Sequence, residues 1–227
     1  MLRPALLASV LVCLVACGSA SAQGVDGLFL EMTMRSGRIE TNHYYFLPDG
    51  RYLNGVPEGG LTVAGFEQAC ARPVGAYAGG SICGTYRIAG GSIVFTPRQG
   101  PVDSRTFERL ADGNINLDGH FAKHVPAFPK GQVLDGNYAR VNSAGPIGYG
   151  ESFVFRPDGT FSTKWLAGVV TKDGVQTTGG PASGSYRLDG NVLALTANGT
   201  ITRIVAYPYD LGNGDVRLNL NGEFFKK

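Results

Sequence analysis

Short runs in which apolar residues alternate with small or polar ones recur along the chain, separated by glycine-bearing turns, which is the pattern of antiparallel strands with one buried face. The clearest instance reads Gly-Thr-Tyr-Arg-Ile-Ala-Gly-Gly-Ser-Ile-Val-Phe-Thr at 84–96 and returns as Gly-Ser-Tyr-Arg-Leu-Asp-Gly-Asn-Val-Leu-Ala-Leu-Thr at 184–196. Five of the thirteen positions are identical and four more exchange like for like. Each copy predicts a β-hairpin about a tight turn at Ala89-Gly90 or Asp189-Gly190. The alternation places Tyr186, Leu188, Leu193 and Leu195 on one face and Arg187, Val192 and Ala194 on the other. Tyr86, Ile88, Ile93 and Phe95 take the corresponding face in the first copy.

The duplication extends in both directions from these hairpins. Val-Asp-Gly-Leu-Phe at 25–29 is answered by Leu-Asp-Gly-Asn-Tyr at 134–138, and Phe-Leu-Pro-Asp-Gly-Arg-Tyr at 46–52 by Phe-Arg-Pro-Asp-Gly-Thr-Phe at 155–161. The Pro-Asp-Gly turns predict three-residue hairpin loops with glycine in the left-handed region, which set Phe46 against Tyr52 and Phe155 against Phe161. The last segments, Ile-Asn-Leu-Asp-Gly-His-Phe at 115–121 and Leu-Asn-Leu-Asn-Gly-Glu-Phe at 218–224, also match. The prediction is an all-β chain of two tandem antiparallel lobes, 25–124 and 134–227, joined by a proline- and glycine-broken linker at 125–133. Each lobe is near the lower size at which one core suffices, so the two are expected to pack together or to share a sheet system. A single helix is expected, over 63–72, weakened by Gly65.

Composition adds a compartment. Met-Leu-Arg-Pro is followed by an apolar stretch at 5–16, too short to span a bilayer and of the right length for a signal-peptide core. Two cleavage readings stand: a signal peptide of residues 1–22 ending in Ala-Ser-Ala, or a lipoprotein leader of residues 1–16 with Cys17 lipidated and anchored to the membrane. Either implies an exported protein of the periplasm or outer membrane, or a secreted one. Cys13 leaves with the leader. Cys70 and Cys83 are then expected to form a disulfide in an oxidising compartment. Beyond Arg3 of the leader, 19 basic residues face 18 acidic ones, a balance with no electrostatic case for nucleic acid.

The order Gly-x-aromatic, Phe-x-Pro-Asp-Gly-x-aromatic and Gly-x-Tyr-x-Ile/Leu-x-Gly resembles the lipocalin-like β-barrel domains of bacterial envelope proteins. Gly27-Leu-Phe29 and Gly136-Asn-Tyr138 sit where lipocalins keep Gly-x-Trp. The resemblance implies an up-and-down barrel or half-barrel per lobe, with an interior able to hold a small apolar ligand.

Residues kept in both copies are expected to be scaffold, and residues in one copy alone to mark added function. Tyr86/Tyr186 and Arg87/Arg187 belong to the first group, with a Tyr-Arg site for an acidic ligand as the alternative. The first lobe has 31 residues between Tyr52 and Gly84, against 22 between Phe161 and Gly184 in the second. This longer loop carries Phe66 and both cysteines, and reads either as a lid or partner-contact surface or as a stapled insertion. Trp165 in the matching connection reads as a ligand- or partner-facing aromatic or as a core plug. His120 and His124, with His43 as a third member, have a spacing that would bind metal on a helix but not on a strand. Nucleophile elbows, phosphate loops and zinc-protease motifs are absent, and Glu40, Glu67, Glu108 and Glu151 are not paired in sequence. No cofactor is expected. The expected function is non-enzymatic binding of a hydrophobic small molecule or another envelope protein. A surface-acting adaptor, inhibitor or structural protein, and a hydrolase or isomerase with a barrel pocket, remain the alternatives.

Overall fold

The structure is a computed structural model and describes residues 24–35, 38–57, 59–71, 82–144, 147–171, 174–178, 180–210 and 214–227. The leader and Cys17 lie outside the described residues. The first lobe comprises β1 (Gly27–Arg35), β2 (Arg38–Phe46), β3 (Arg51–Asn54), α1 (Val63–Cys70), β4 (Ile82–Ala89), β5 (Ser92–Pro97), β6 (Asp103–Arg109), β7 (Ile115–Leu117) and β8 (His120–His124). Each strand pairs antiparallel with the next, and β8 returns to β1 to close a barrel.

The second lobe comprises β9 (Gly136–Ala144), β10 (Ile147–Phe155), β11 (Thr160–Thr171), β12 (Gly174–Thr178), β13 (Pro181–Asp189), β14 (Val192–Ala197), β15 (Thr200–Asp210), β16 (Val216–Leu220) and β17 (Glu223–Lys226). Here β11 pairs with both β10 and β13, β12 hangs as a side hairpin on β11, and β17 meets β9 at Lys226 and Ala139. The chain is therefore two closed eight-stranded antiparallel barrels in tandem, neither half-barrels nor one continuous sheet.

The repeated motifs have steric and hydrogen-bonding causes. A Cβ on Gly84 would sit 2.2 Å from the Thr96 carbonyl oxygen, and one on Gly184 would sit 1.8 Å from that of Thr196, so only glycine lets the neighbouring strand approach. Two residues on, Tyr86 donates its hydroxyl to Val25 O at 2.7 Å and Tyr186 donates to Leu134 O at 2.7 Å. Each tyrosine straps the segment leading into its barrel's first strand to the barrel wall. Phe46 faces Tyr52 and Phe155 faces Phe161 across the Pro-Asp-Gly turns, whose Gly50 and Gly159 take φ of 87° and 81°. The central hairpins turn one residue later than expected, at Gly90-Gly91 and Gly190-Asn191, so Tyr186 faces Leu195 and Leu188 faces Leu193. The face assignments survive because this change moves each pairing by two residues, one full side-chain period.

Three cores result. Phe29, Phe46, Tyr52, Tyr86, Ile93 and Phe95 are among the side chains filling the first barrel, and Phe153, Phe155, Phe161, Tyr186, Leu193 and Phe225 among those filling the second. The third core lies between the lobes, where Leu28, Leu30, Tyr45 and Leu53 from the outer face of the first barrel meet Val205 and Tyr207 of β15. The linker joins in: Val125 packs in this shared core and Phe128 packs against the second barrel's core.

Candidate functional site

Among the described residues, each barrel encloses a cluster of its own aromatic rings. In the first, Tyr52 lies 4.7 Å from Phe95 and Phe46 lies 5.0 Å from Tyr86. In the second, Phe155 lies 5.1 Å from Tyr186 and Phe153 lies 5.5 Å from Phe225. One polar cluster is set into each. In lobe one the buried Glu31 carboxylate accepts from Asn42 Nδ2 at 2.9 Å and from the Tyr44 hydroxyl at 3.2 Å, while Arg105 Nη1 donates to Tyr44 at 3.0 Å. Burial, followed by the charge of Glu31, raises the Tyr44 phenol above its ordinary pKa and keeps it neutral. In lobe two the matching strand positions carry Arg140 and Glu151, 3.1 Å apart, and Glu223 also lies 2.7 Å from the Arg140 guanidinium. Arg140 bridges these two acids, a pairing across β9, β10 and β17 that no sequence spacing shows. Both clusters spend their charges internally.

A wide concavity lies outside the barrels. A groove of about 730 Å³ runs between α1 of lobe one and the first half of β15 of lobe two, lined by Thr62, Ala64, Gln68, Ile201, Arg203 and Asn221 among others. Its α1 wall is held firmly. Thr62 Oγ1 accepts from Gly65 N at 3.0 Å as the N-cap, and Phe66 and Ala69 are buried in the inter-lobe core. Arg51 pairs with Glu67 and lies 5.1 Å above the Phe66 ring, and the Cys70–Cys83 disulfide ties the helix end to β4. An eight-residue helix is marginal by itself, and these attachments stabilise it. On the opposite wall Ile201 is 54% exposed, and Val63 at the helix start is 55% exposed.

A buried polar contact also joins the lobes. His43 Nε2 and the Tyr207 hydroxyl share a hydrogen bond of 2.7 Å. Burial lowers the His43 pKa from 6.5 to about 4 and raises that of Tyr207, so both are neutral near pH 7.

The residues singled out in the sequence do not converge on one site. Phe66 is fully buried in the shared core, beneath α1 rather than in the groove. Tyr86 and Tyr186 point into the barrels while Arg87 and Arg187 are exposed on the outside, so neither Tyr-Arg pair surrounds a common ligand. The backbone of Trp165 lies in β11 opposite Glu151, and its side chain falls outside the described residues. His120 and His124 are exposed at the two ends of β8, and His43 is committed to Tyr207. Among the described residues no three His, Cys, Asp or Glu side chains are grouped as a metal site. Glu67 is held by Arg51 and by Arg98, the latter at 3.5 Å.

Gln68, Ile201 and Arg203 carry no sequence motif, and Asn221 belongs to the repeated turn at 218–224, which reads as scaffold. A signal for the lobe junction does exist. Leu28-Phe29-Leu30, Tyr44-Tyr45-Phe46-Leu47 and Ile204-Val205-Ala206-Tyr207 are continuous apolar runs, as expected of strands covered on both faces. Comparison with known proteins found no matching protein family, curated protein or solved structure.

Proposed function

We propose that the chain is an exported, non-enzymatic binding module of the bacterial envelope, built of two lipocalin-like barrels and acting through its outer surface on another envelope protein. The observation that carries this reading is the contrast between barrel interiors packed, among the described residues, with their own aromatic side chains and a firmly held groove at the lobe junction. A smaller apolar cleft lined by Val125, Pro126, Tyr207, Pro208 and Tyr209 has a volume of about 170 Å³, and another of about 330 Å³ lies at Phe128, Leu134 and Tyr138; the groove, at about 730 Å³, is wider than either.

Photo-crosslinking residues placed at Gln68 and Ile201 in the full chain, expressed in a bacterial envelope, test the reading. The expected result is one discrete cross-linked protein from both positions and none from a control at Arg187, with native mass spectrometry finding the purified chain free of small molecules. A stoichiometric apolar molecule bound to the chain, together with no cross-link from the groove, overturns it.

A further inference from the structure

β15 changes partners halfway along its length. Residues 200–205 pair with β14, and 206–210 pair with β16. The β14–β15 turn is the two-residue loop Asn198-Gly199, with φ of 50° and 76°, closed by the pair Ala197 and Thr200. In such a hairpin the closing pair is hydrogen-bonded and every second pair after it is too. Thr200, Thr202 and Ile204 therefore direct their peptide groups to β14, while Ile201, Arg203 and Val205 direct theirs to the opposite side. Two bonds agree with this phase: Ala206 N donates to Asn191 O at 2.9 Å on the β14 side, and Asn221 N donates to Val205 O at 2.8 Å on the other. Ile201 and Arg203 lie beyond the end of β16, and their peptide groups face the groove.

Lobe one handles the same bend differently. Thr106 stands where Val205 stands, and Asp118 Oδ1 accepts from Thr106 N at 2.8 Å and from its hydroxyl at 3.1 Å. The residue matching Asp118 is Asn221, which lines the groove. The lobe-one position matching Arg203, opposite Val94, is Ser104, so the cation at this edge belongs to the second lobe. Arg203 is exposed on the open edge and has no ion pair among the described residues, so it complements a carboxylate.

We propose that the groove takes its partner by strand addition: an extended segment of about four to six residues pairs with the peptide groups of Ile201 and Arg203 and places an acidic side chain by Arg203. This rests on the groove being the partner site and specifies what enters it.

The probe is a synthetic nine-residue peptide of alternating threonine and valine with a central glutamate, titrated to millimolar concentration against the full chain while amide exchange is followed by NMR. Exchange at Ile201 and Arg203 is expected to slow by at least about tenfold, with Thr202 and Ile204, already bonded to β14, unchanged. Arg203→Glu is expected to weaken the peptide about fivefold, and exchanging its glutamate for lysine to restore binding. Arg203→Pro, which removes one groove-facing N–H but no β14 bond, should abolish protection at Ile201 while leaving the melting temperature within a few degrees. Unprotected amides at saturating peptide overturn strand addition, and a dimer of the chain in analytical ultracentrifugation that Arg203→Pro abolishes overturns the acidic partner segment as the occupant. A groove cross-link obtained alongside that failure leaves surface binding standing, and loss of both removes the wider reading as well.

Discussion

Acid should loosen the joint between the lobes through one residue, His43. Its ring is 7% exposed, hydrogen-bonded to the fully buried Tyr207 hydroxyl, and held by burial at a pKa of about 4 instead of 6.5. In the unfolded chain it binds a proton below pH 6.5, but in the folded protein only below about pH 4. The unfolded state therefore holds more protons in that window, so stability is complete above it, falls as the pH drops from 6.5 to 4, and then levels off. At about 1.4 kcal/mol per pKa unit, the loss approaches about 3 kcal/mol at the bottom of the window and about 2 kcal/mol by roughly pH 5. His43→Gln retains an amide for Tyr207 but does not titrate. Urea denaturation of both proteins at pH 7.5 and 5.0 isolates the histidine, since the remaining carboxylates contribute equally to each. The wild-type protein should lose about 2 kcal/mol more than the variant between the two conditions. Parallel pH dependences would mean that the His43 ring is not buried as a neutral group between the lobes.

The repeated motifs and the staple make further predictions. Gly184→Ala drives a methyl group into the Thr196 carbonyl and should destabilise the protein by about 3 kcal/mol or more, with Gly84→Ala close behind, in thermal melts. Tyr86→Phe removes the donor to Val25 O and Leu47 O, both buried contacts, and should cost about 1–3 kcal/mol in denaturant titrations while leaving the circular dichroism spectrum unchanged. Cys70→Ser with Cys83→Ser opens a loop spanning 13 residues and should cost about 3 kcal/mol. Because the staple anchors α1, amides of α1 should exchange faster in that variant, while those of the second barrel's β13 and β14 hold their relative protection.

Sequence alone determined the repeat and most of its strands. Alternation carries the two faces, so Tyr86, Ile93 and Phe95 are legible as interior residues, and an error of one residue in the central turns leaves them there because the strand period is two. The Pro-Asp-Gly turns, the Gly-x-Tyr motif and the Cys70–Cys83 bond are local or nearly local requirements, and local chemistry announces them. Closure of each barrel is different, since β8 finds β1 from about a hundred residues away and nothing in either strand names the other. The junction is also tertiary: His43 meets Tyr207 across 164 positions, and Arg140 collects Glu151 and Glu223 from two other strands. Phe66 shows the limit most directly, because an aromatic residue in a loop reads as a contact surface until the second lobe is seen covering it. The edge of Ile201 and Arg203 that faces away from β14 has no strand partner among the described residues because β16 ends opposite Ala206, a limit set by the pairing of the whole sheet. Local periodicity says which side of a strand is wet, and only the assembled chain decides which edges remain unpaired and what lies against them.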